Sequence, residues 1–496
     1  MRSSKTSIKG KRLLDKIRSD FIGLDTLYEN VHGEKTRRIY LDSTASSLML
    51  RPAAKILADF MNHYSNTHSK MHHSAHISTS AYKWAHQRVL SFVGADPELY
   101  TCFFTGAGTT AGINRMARVF RDVNPDKDTA VISIMEHHSN DLPHRKHMKN
   151  VFHIPIGAVD QNGMCISLPK LEEVLQKYEG RVNYVSITAV SNVTGIINPI
   201  HEIARMAHKY GALIMVDGAQ SVAHLPTKMY HPDDPDASID ALVFSGHKTY
   251  TPGSPGVVIA RRDHLLSIEP AEVGGGMVDR VLEDKYLVKD YFPDREEAGT
   301  QNIPGSIALA ATIEILDRIG MDILELEEDH IMTKAIEGMK RIPELIIYGG
   351  TNLKTCPRTA SISFNVKGLE HGIVAALLND YFNIAVRNQC FCAHPYVKEM
   401  MAEDLEKEFG IIDFGIMSDE FMRKAGMVRA SFGLYSTLED VDALISALTD
   451  IIANIDKYAL DYEINADNDY EHQTYHLNHD EIFNVVGAVD QYFGKS

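Results

Sequence analysis

Lys248 lies in "SGHKTY" (245–250), directly after the apolar run "IDALVF". A lysine becomes a nucleophile toward carbonyls when its surroundings lower its pKa, and the end of a buried strand can do that. Alone, Lys248 reads equally as a solvated lysine in a turn. Asp217, closing the run "ALIMVD", shifts the balance, because a carboxylate there can pair with a protonated ring nitrogen. Pyridoxal phosphate asks for this set: a Schiff-base lysine, a carboxylate on the pyridine nitrogen, and donors for the phosphate. "FFTGAGTTAGINRMA" offers the donors, since Gly108, Thr109 and Thr110 follow an aromatic strand and open a helical pattern. Backbone N–H groups and a helix dipole are aimed at a phosphate in this way, although the turn by itself is also an ordinary N-cap. Ser245 and His247, two residues apart on an extended segment, share a face and add two phosphate contacts. His137, in "MEHHSN", either stacks flat on a pyridine ring or is a hydrogen-bonded turn residue.

The elements that must position these residues are legible as an alternation. "TAVISIM", "VNYVSITAV", "ALIMVDGAQ", "IDALVFSGHK" and "GVVIARR" are short β-rich runs separated by amphipathic stretches such as "IHEIARMAHKYG". That pattern predicts an α/β fold, a mostly parallel sheet with helices on both faces. Ligands in such sheets bind beyond the carboxyl ends of strands, where Ser191, Asn192, Asp217, Gln220, Ser245, His247 and Lys248 fall. We read an N-terminal arm over 1–39 and a large cofactor-binding domain over 40–310. A smaller α+β domain follows over 311–460, with an insertion at about 397–426, and then an acidic extension over 461–496 without clear periodicity. The Gly-rich "EVGGGMV" and "EEAGTQNIPG" precede the boundary, and we find no internal repeat or low-complexity tract.

At 496 residues, 44% hydrophobic and 23% charged, the composition is that of a soluble globular protein of two or more units. No stretch approaches the ~18 apolar residues of a membrane span. A net charge of -16 opposes binding to nucleic-acid phosphates. Five cysteines, Cys102, Cys165, Cys356, Cys390 and Cys392, read as reduced thiols in a reducing compartment. The basic N-terminus lacks an apolar core for secretion and reads as a helical arm, with an organelle transit peptide as the alternative. A cytoplasmic location is expected.

"SNVTG", "VDGAQS", "SGHKTY", "EHHSN" and "GTT" resemble the class V aminotransferase family of pyridoxal phosphate enzymes. Within it they are most similar to the SUF-type cysteine desulfurases and selenocysteine lyases, from about Leu41 to about Asn454. The resemblance implies a pyridoxal-phosphate fold type I homodimer that removes sulfur or selenium from L-cysteine or selenocysteine. It implies that Lys248 forms the Schiff base, Asp217 pairs with the pyridine nitrogen and His137 stacks on the ring. Gln220 and Asn192 would address the ring hydroxyl and the substrate. Thr109, Thr110, Ser245 and His247 would hold the phosphate, with Thr300 of "AGTQN" reaching it from the neighbouring subunit. Arg429 in "MVRASFGLYST" matches the arginine that pairs with the substrate carboxylate. A planar guanidinium suits a carboxylate on chemistry alone, and Arg387 in "IAVRNQ" is then equally eligible.

"VRNQCFCAHPYV" bears on the reaction type. A desulfurase needs a mobile thiolate to attack the substrate sulfur, leaving a persulfide on the protein and alanine on the cofactor. An unshifted thiol is mostly protonated at neutral pH, so neighbours such as His394 or Arg387 would assist. Cys392 aligns with the family's catalytic cysteine, whereas Cys390 is either a second relay or a small buried hydrophobe. Two departures stand out. The insertion comes soon after Cys392, as a lid or as a segment that alters access for a sulfur acceptor, which could be a sulfur-acceptor protein. "NTHSKMHHSAH" keeps His68 and His72 where the family carries a histidine pair, with His72 toward the substrate, but lacks the Arg-Gly between them. The histidines there, with His63 just before, have no cysteine or carboxylate at ligand spacing, so no metal is expected. The alternatives are another class V reaction (transamination, racemisation or C–S β-elimination) and a catalytically idle scaffold.

Overall fold

A computed structural model describes residues 4–69, 71–157, 164–231, 233–410 and 418–494. Seven strands form the main sheet: β1 Tyr100–Thr105, β2 Thr129–Ser133, β3 Asn150–Ile154, β4 Val182–Thr188, β5 Leu213–Asp217, β6 Ala241–Ser245 and β7 Gly256–Arg261. Their spatial order is β1-β7-β6-β5-β4-β2-β3, with β7 antiparallel to both of its neighbours and the remaining pairs parallel. The central strands β4, β5 and β6 are buried along almost their whole length because helices cover both faces. On one face the helix Gly108–Val123 sets Ile113, Met116 and Phe120 against Phe103, Val243 and Val258. Gly112 lets it approach, since a Cβ there would stand 2.4 Å from Val243 Cγ1. On the other face lie Ile203 and Ala207, and Leu309 and Ile313 of the helix Ile303–Ile319.

The second unit is a four-stranded antiparallel sheet of β8 Leu345–Ile347, β9 Ser361–Val366, β10 Arg387–Gln389 and β11 Met427–Ser431, in the order β8-β9-β11-β10. Helices His371–Phe382 and Leu438–Tyr458 bury Leu377, Leu444 and Leu448 against Phe364 and Val428. A capping box, Thr437 with Asp440, starts the second helix. The N-terminal segment through Leu41 divides between the two cores. The helix Ser4–Ile17 inserts Leu14 and Ile17 into the large one, while Ile39–Tyr40 pairs with Ile384–Ala385 and Leu41 joins the small one.

The insertion after Cys392 begins as the helix His394–Phe409, which buries Tyr396, Val397 and Met401 beside Met135, Val193 and Ile196. It resumes as Asp419–Lys424, while 411–417, also part of the expected insertion, lies outside the described residues. In the C-terminal extension Tyr462–Ile464 and Tyr470–His472 pair as a hairpin, strands of three residues that are too short to display a period. Tyr462 donates its hydroxyl to Asp380 at 2.8 Å and Tyr470 to Glu370 at 3.0 Å, tying the hairpin to the small unit. Among the described residues no helix is long and apolar enough to cross a membrane, and no group of three or more His, Cys, Asp or Glu is placed to hold a metal ion.

Candidate active site

Sheet register brings the first polar groups together. Thr188 stands opposite Asp217, Asp217 opposite Val243, and Ser245 opposite Gly256, so the carboxyl ends of β4, β5 and β6 form one rim. There the rim faces the small unit across a cavity of about 480 Å3. Lys248 closes a single turn after β6 and points into it. Burial holds the Lys248 ammonium down to about 8, and Arg429 and Arg387 push the same way against the opposing Asp217 carboxylate. Burial raises Asp217, while the Ala219 N–H (2.9 Å to Oδ1) and Lys248 favour its charged form.

The turn at Gly108 forms a cradle. The Thr109 N–H donates to Ser245 Oγ at 2.7 Å, and the two hydroxyls, Thr109 Oγ1 and Ser245 Oγ, are also 2.7 Å apart. Gly108 has φ +56°, and a Cβ on it would lie 2.6 Å from Ser245 Oγ, so only glycine fits there. Thr110 Oγ1 meets Ser139 Oγ at 2.7 Å, and His247 turns its Nδ1 to Ser46 Oγ at 3.3 Å. Gln220 donates to the Thr44 carbonyl at 2.9 Å. A ring of hydroxyls and N–H groups on a helix N-terminus, a neutralisable amine and a buried carboxylate, all on one cavity, fit pyridoxal phosphate.

His137 caps a short turn, its Nδ1 accepting from the Ser139 N–H at 3.0 Å, so the neutral ring carries its proton on Nε2. Burial, reinforced by Lys248, holds it down to about 3. Beneath it Glu136 accepts from Ser133 Oγ (2.5 Å), Asn140 Nδ2 (2.6 Å) and the Thr188 N–H (2.9 Å), which locks the His137 turn to the end of β4. Burial pushes the Glu136 carboxyl up to about 8.

The small unit supplies the opposite wall. Arg429 on β11, only 2% exposed, donates to the Asn192 carbonyl at 2.7 Å and to Asp42 at 3.1 Å. Burial pushes it down to about 10, against the pull of Asp42. Arg387 on β10 is its cross-strand partner in register. Two like charges directly opposite repel, and the Asp42 carboxylate beside them offsets part of that repulsion. Asn192 donates its amide to the Phe391 carbonyl at 2.8 Å, and the Phe391 ring lies 4.7 Å from the Arg429 guanidinium.

Cys392 is exposed at the cavity mouth. Gln389, Phe391 and Cys392 all have positive φ (83°, 51° and 56°), a run that side chains resist and that clusters at functional loops. The His138 N–H donates to the Cys392 carbonyl at 2.7 Å, and the His138 and His394 rings meet at 2.9 Å, which pins the C-terminal end of the loop. Cys390 turns away and donates its thiol to the Ala425 carbonyl at 3.1 Å, with burial pushing it up to about 11.

Of the residues singled out from the sequence, Gly108, Thr109, Thr110, His137, Asn192, Asp217, Gln220, Ser245, His247, Lys248, Arg387, Cys392 and Arg429 line this cavity. Thr300 and His72 do not line it within one chain. Thr300 is exposed and accepts from Asn66 at 3.0 Å, and His72 is an N-cap whose Nδ1 accepts from the Ala75 N–H at 3.2 Å. Sequence reasoning missed Thr44, Ser139 and the Asp42–Arg429 pair. The small polar run "LDSTASS" was the signal for the first, but nothing in the sequence couples 42 to 429.

The Aminotransferase class-V family model matches residues 39–444. A probable cysteine desulfurase of Halalkalibacterium halodurans is 32% identical over 416 residues, 83% of this chain and 92% of that protein. A cysteine desulfurase of Klebsiella pneumoniae is 30% identical over 439 residues, 88% and 97% respectively. Among solved structures, the apo cysteine desulfurase of Thermococcus onnurineus superposes with a TM-score of 0.71 at 30% identity, covering 84% of this chain and 95% of that one. The cysteine desulfurase CsdA of Escherichia coli gives 0.68 at 27%, covering 89% and 98%. The chain belongs to the class-V aminotransferase family.

Proposed function

We propose that the protein is a pyridoxal-phosphate-dependent cysteine desulfurase that takes L-cysteine, or selenocysteine, to alanine and leaves the sulfur on Cys392 as a persulfide. The carrying observation is that Lys248, Arg429 and Cys392 share one cavity although they come from different units of the fold. Arg429, with Arg387 beside it, binds the substrate carboxylate and so fixes the orientation of the Cα bonds. Lys248 would hold the cofactor at its aldehyde, and its lowered pKa makes the neutral amine, which can accept a proton from the substrate Cα, far more accessible than that of an exposed lysine. The bound cofactor supplies an electron sink for the pair left at Cα. His137, neutral and fixed by Ser139, stacks on the ring, and Asp217 keeps the ring nitrogen protonated. Gly108, Thr109, Thr110, Ser245 and His247 hold the phosphate, and Gln220 and Asn192 address the ring hydroxyl and the substrate. The Cys392 thiolate attacks the substrate sulfur, forming an S–S bond as the carbon–sulfur bond breaks.

This reading includes a homodimer in which Thr300 reaches the phosphate of the neighbouring subunit, and His72 on the same exposed loop system approaches the substrate. It also includes a cytoplasmic location within sulfur metabolism. Anaerobic incubation of the reconstituted protein with L-cysteine tests it, with alanine, sulfide and keto acids measured together. Alanine and sulfide should appear in equal amounts once a reductant is added. Keto acid in excess of alanine, or a preferred substrate without sulfur, would replace the desulfurase with another class V reaction.

A further inference from the structure

The Cys392 loop has a second side. A separate cavity of about 320 Å3 lies behind it, and Arg387, Phe391 and Cys392 line both this cavity and the one that holds Lys248. The loop is thus a partition with the thiol at its edge. The far wall is built from the end of the insertion and from the hairpin of the C-terminal extension. Arg423, near the end of the insertion, donates from Nε to Glu370 (3.0 Å) and from Nη1 to Asn468 (2.6 Å) at the tip of the C-terminal hairpin. Tyr470 donates to the same Glu370 oxygen at 3.0 Å. These bonds hold the hairpin over the cavity, so that Asp467 and Asp469 stand on its rim, exposed and with no ion-pair partner among the described residues. His371, 5% exposed, lines the floor, and its Nε2 makes no hydrogen bond, the Met422 carbonyl lying near it but outside bonding geometry.

A volume near the lower end of the ~300–1,000 Å3 range of small-ligand pockets admits an amino-acid-sized or tripeptide-sized molecule but not a protein domain. The carboxylates of Asp467 and Asp469 and the guanidinium of Arg387 line this one space, a set that complements a zwitterion with its ammonium toward the hairpin. A group that enters here meets Cys392 from the side away from the cofactor. Resting on the desulfurase reading, we infer that this cavity is an acceptor site for a small zwitterionic thiol, an amino-acid or peptide thiol, which discharges the Cys392 persulfide. The acceptor sulfur attacks the outer sulfur of Cys392–S–SH. A new S–S bond forms on the acceptor, the old one breaks, and Cys392 leaves as thiolate while the acceptor's thiol proton passes to Cys392 or solvent. The products are the acceptor persulfide and a free Cys392 thiol, with no net oxidation or reduction.

The test uses reconstituted full-length enzyme, charged with one equivalent of L-cysteine and then chased with glutathione, cysteamine, 3-mercaptopropionate or 2-mercaptoethanol. Alanine in the first turnover and persulfide on Cys392 are both followed by mass spectrometry. Discharge should saturate with glutathione, and its rate at low concentration should exceed that with 2-mercaptoethanol. The double variant Asp467→Asn/Asp469→Asn, on an exposed hairpin, should slow discharge by glutathione and cysteamine about fivefold. It should leave the alanine burst and discharge by 3-mercaptopropionate unchanged. Rates linear in every thiol and indifferent to the double variant, or discharge by a protein acceptor alone, would overturn the site. Absence of the alanine burst in the unmodified enzyme would instead remove the desulfurase reading, and this site with it.

Discussion

The two walls of the active cavity are built by different means. The cofactor wall stands on strand ends whose register is set by a sheet covered on both faces, and its groups are held by short hydrogen bonds inside one unit, such as Thr109 to Ser245 and Glu136 to Thr188. The thiol wall is a loop between β10 and the helix His394–Phe409, with positive φ at Phe391 and Cys392 and anchors that cross from the other unit, Asn192 to Phe391 and His138 to Cys392 and His394, besides the bond of Cys390 to Ala425 within its own. A rigid wall suits a group that must hold a planar ring in one place. A loop pinned at a few points suits a thiol that must reach substrate on one side and release sulfur on the other.

Substitutions can break that contrast, from the strongest effect downward. Lys248→Ala should lower turnover at least ~10,000-fold and remove the visible absorbance of lysine-bound cofactor, since it takes away both anchor and base. Cys392→Ser should lower sulfur release about 1,000-fold while leaving that absorbance intact; loss of cofactor in this variant would show that the walls are not independent. Gly108→Ala should weaken cofactor affinity roughly tenfold through backbone strain and the clash with Ser245, with little effect on persulfide discharge, as titration with pyridoxal phosphate would read.

The pH dependence sharpens the same contrast. A lysine held down to about 8 is the neutral, carbonyl-reactive amine above that pH and ammonium below it. The rate of reconstitution of the cofactor-free protein should therefore rise with pH and level off above about 8, falling about tenfold per unit below it, in stopped-flow absorbance. The smallest effect belongs to the loop. His394→Asn removes one ring hydrogen bond to His138, of about 1 kcal/mol. It should slow turnover by about fivefold and leave cofactor binding unchanged.

The same difference in construction explains what was legible in the sequence. Lys248, Asp217 and the Gly108–Thr110 turn follow from strand-end logic, because a parallel sheet puts its polar terminators at one rim whatever the loops do. The antiparallel β7 was hidden, since "GVVIARR" carries no mark of direction. On the thiol wall the residue types were visible but not their meeting. The Arg387–Arg429 register, the Asp42 contact and the turning of Cys390 toward Ala425 depend on long-range pairing and packing. The C-terminal hairpin has three-residue strands and is held by side-chain bonds to Asp380, Glu370 and Arg423, which no period could announce.

The central claim is that Lys248 and Cys392 act in sequence on one substrate from opposite walls. It is tested most directly by a single anaerobic turnover of L-cysteine on the reconstituted enzyme and on its Cys392→Ser variant, with alanine quantified and every cysteine mapped for persulfide. The account predicts one alanine for each persulfide in the unmodified enzyme, all of that persulfide on Cys392, and neither product above background in the variant. Persulfide on Cys390 or another thiol, or alanine formed at the unmodified rate without Cys392, would contradict it.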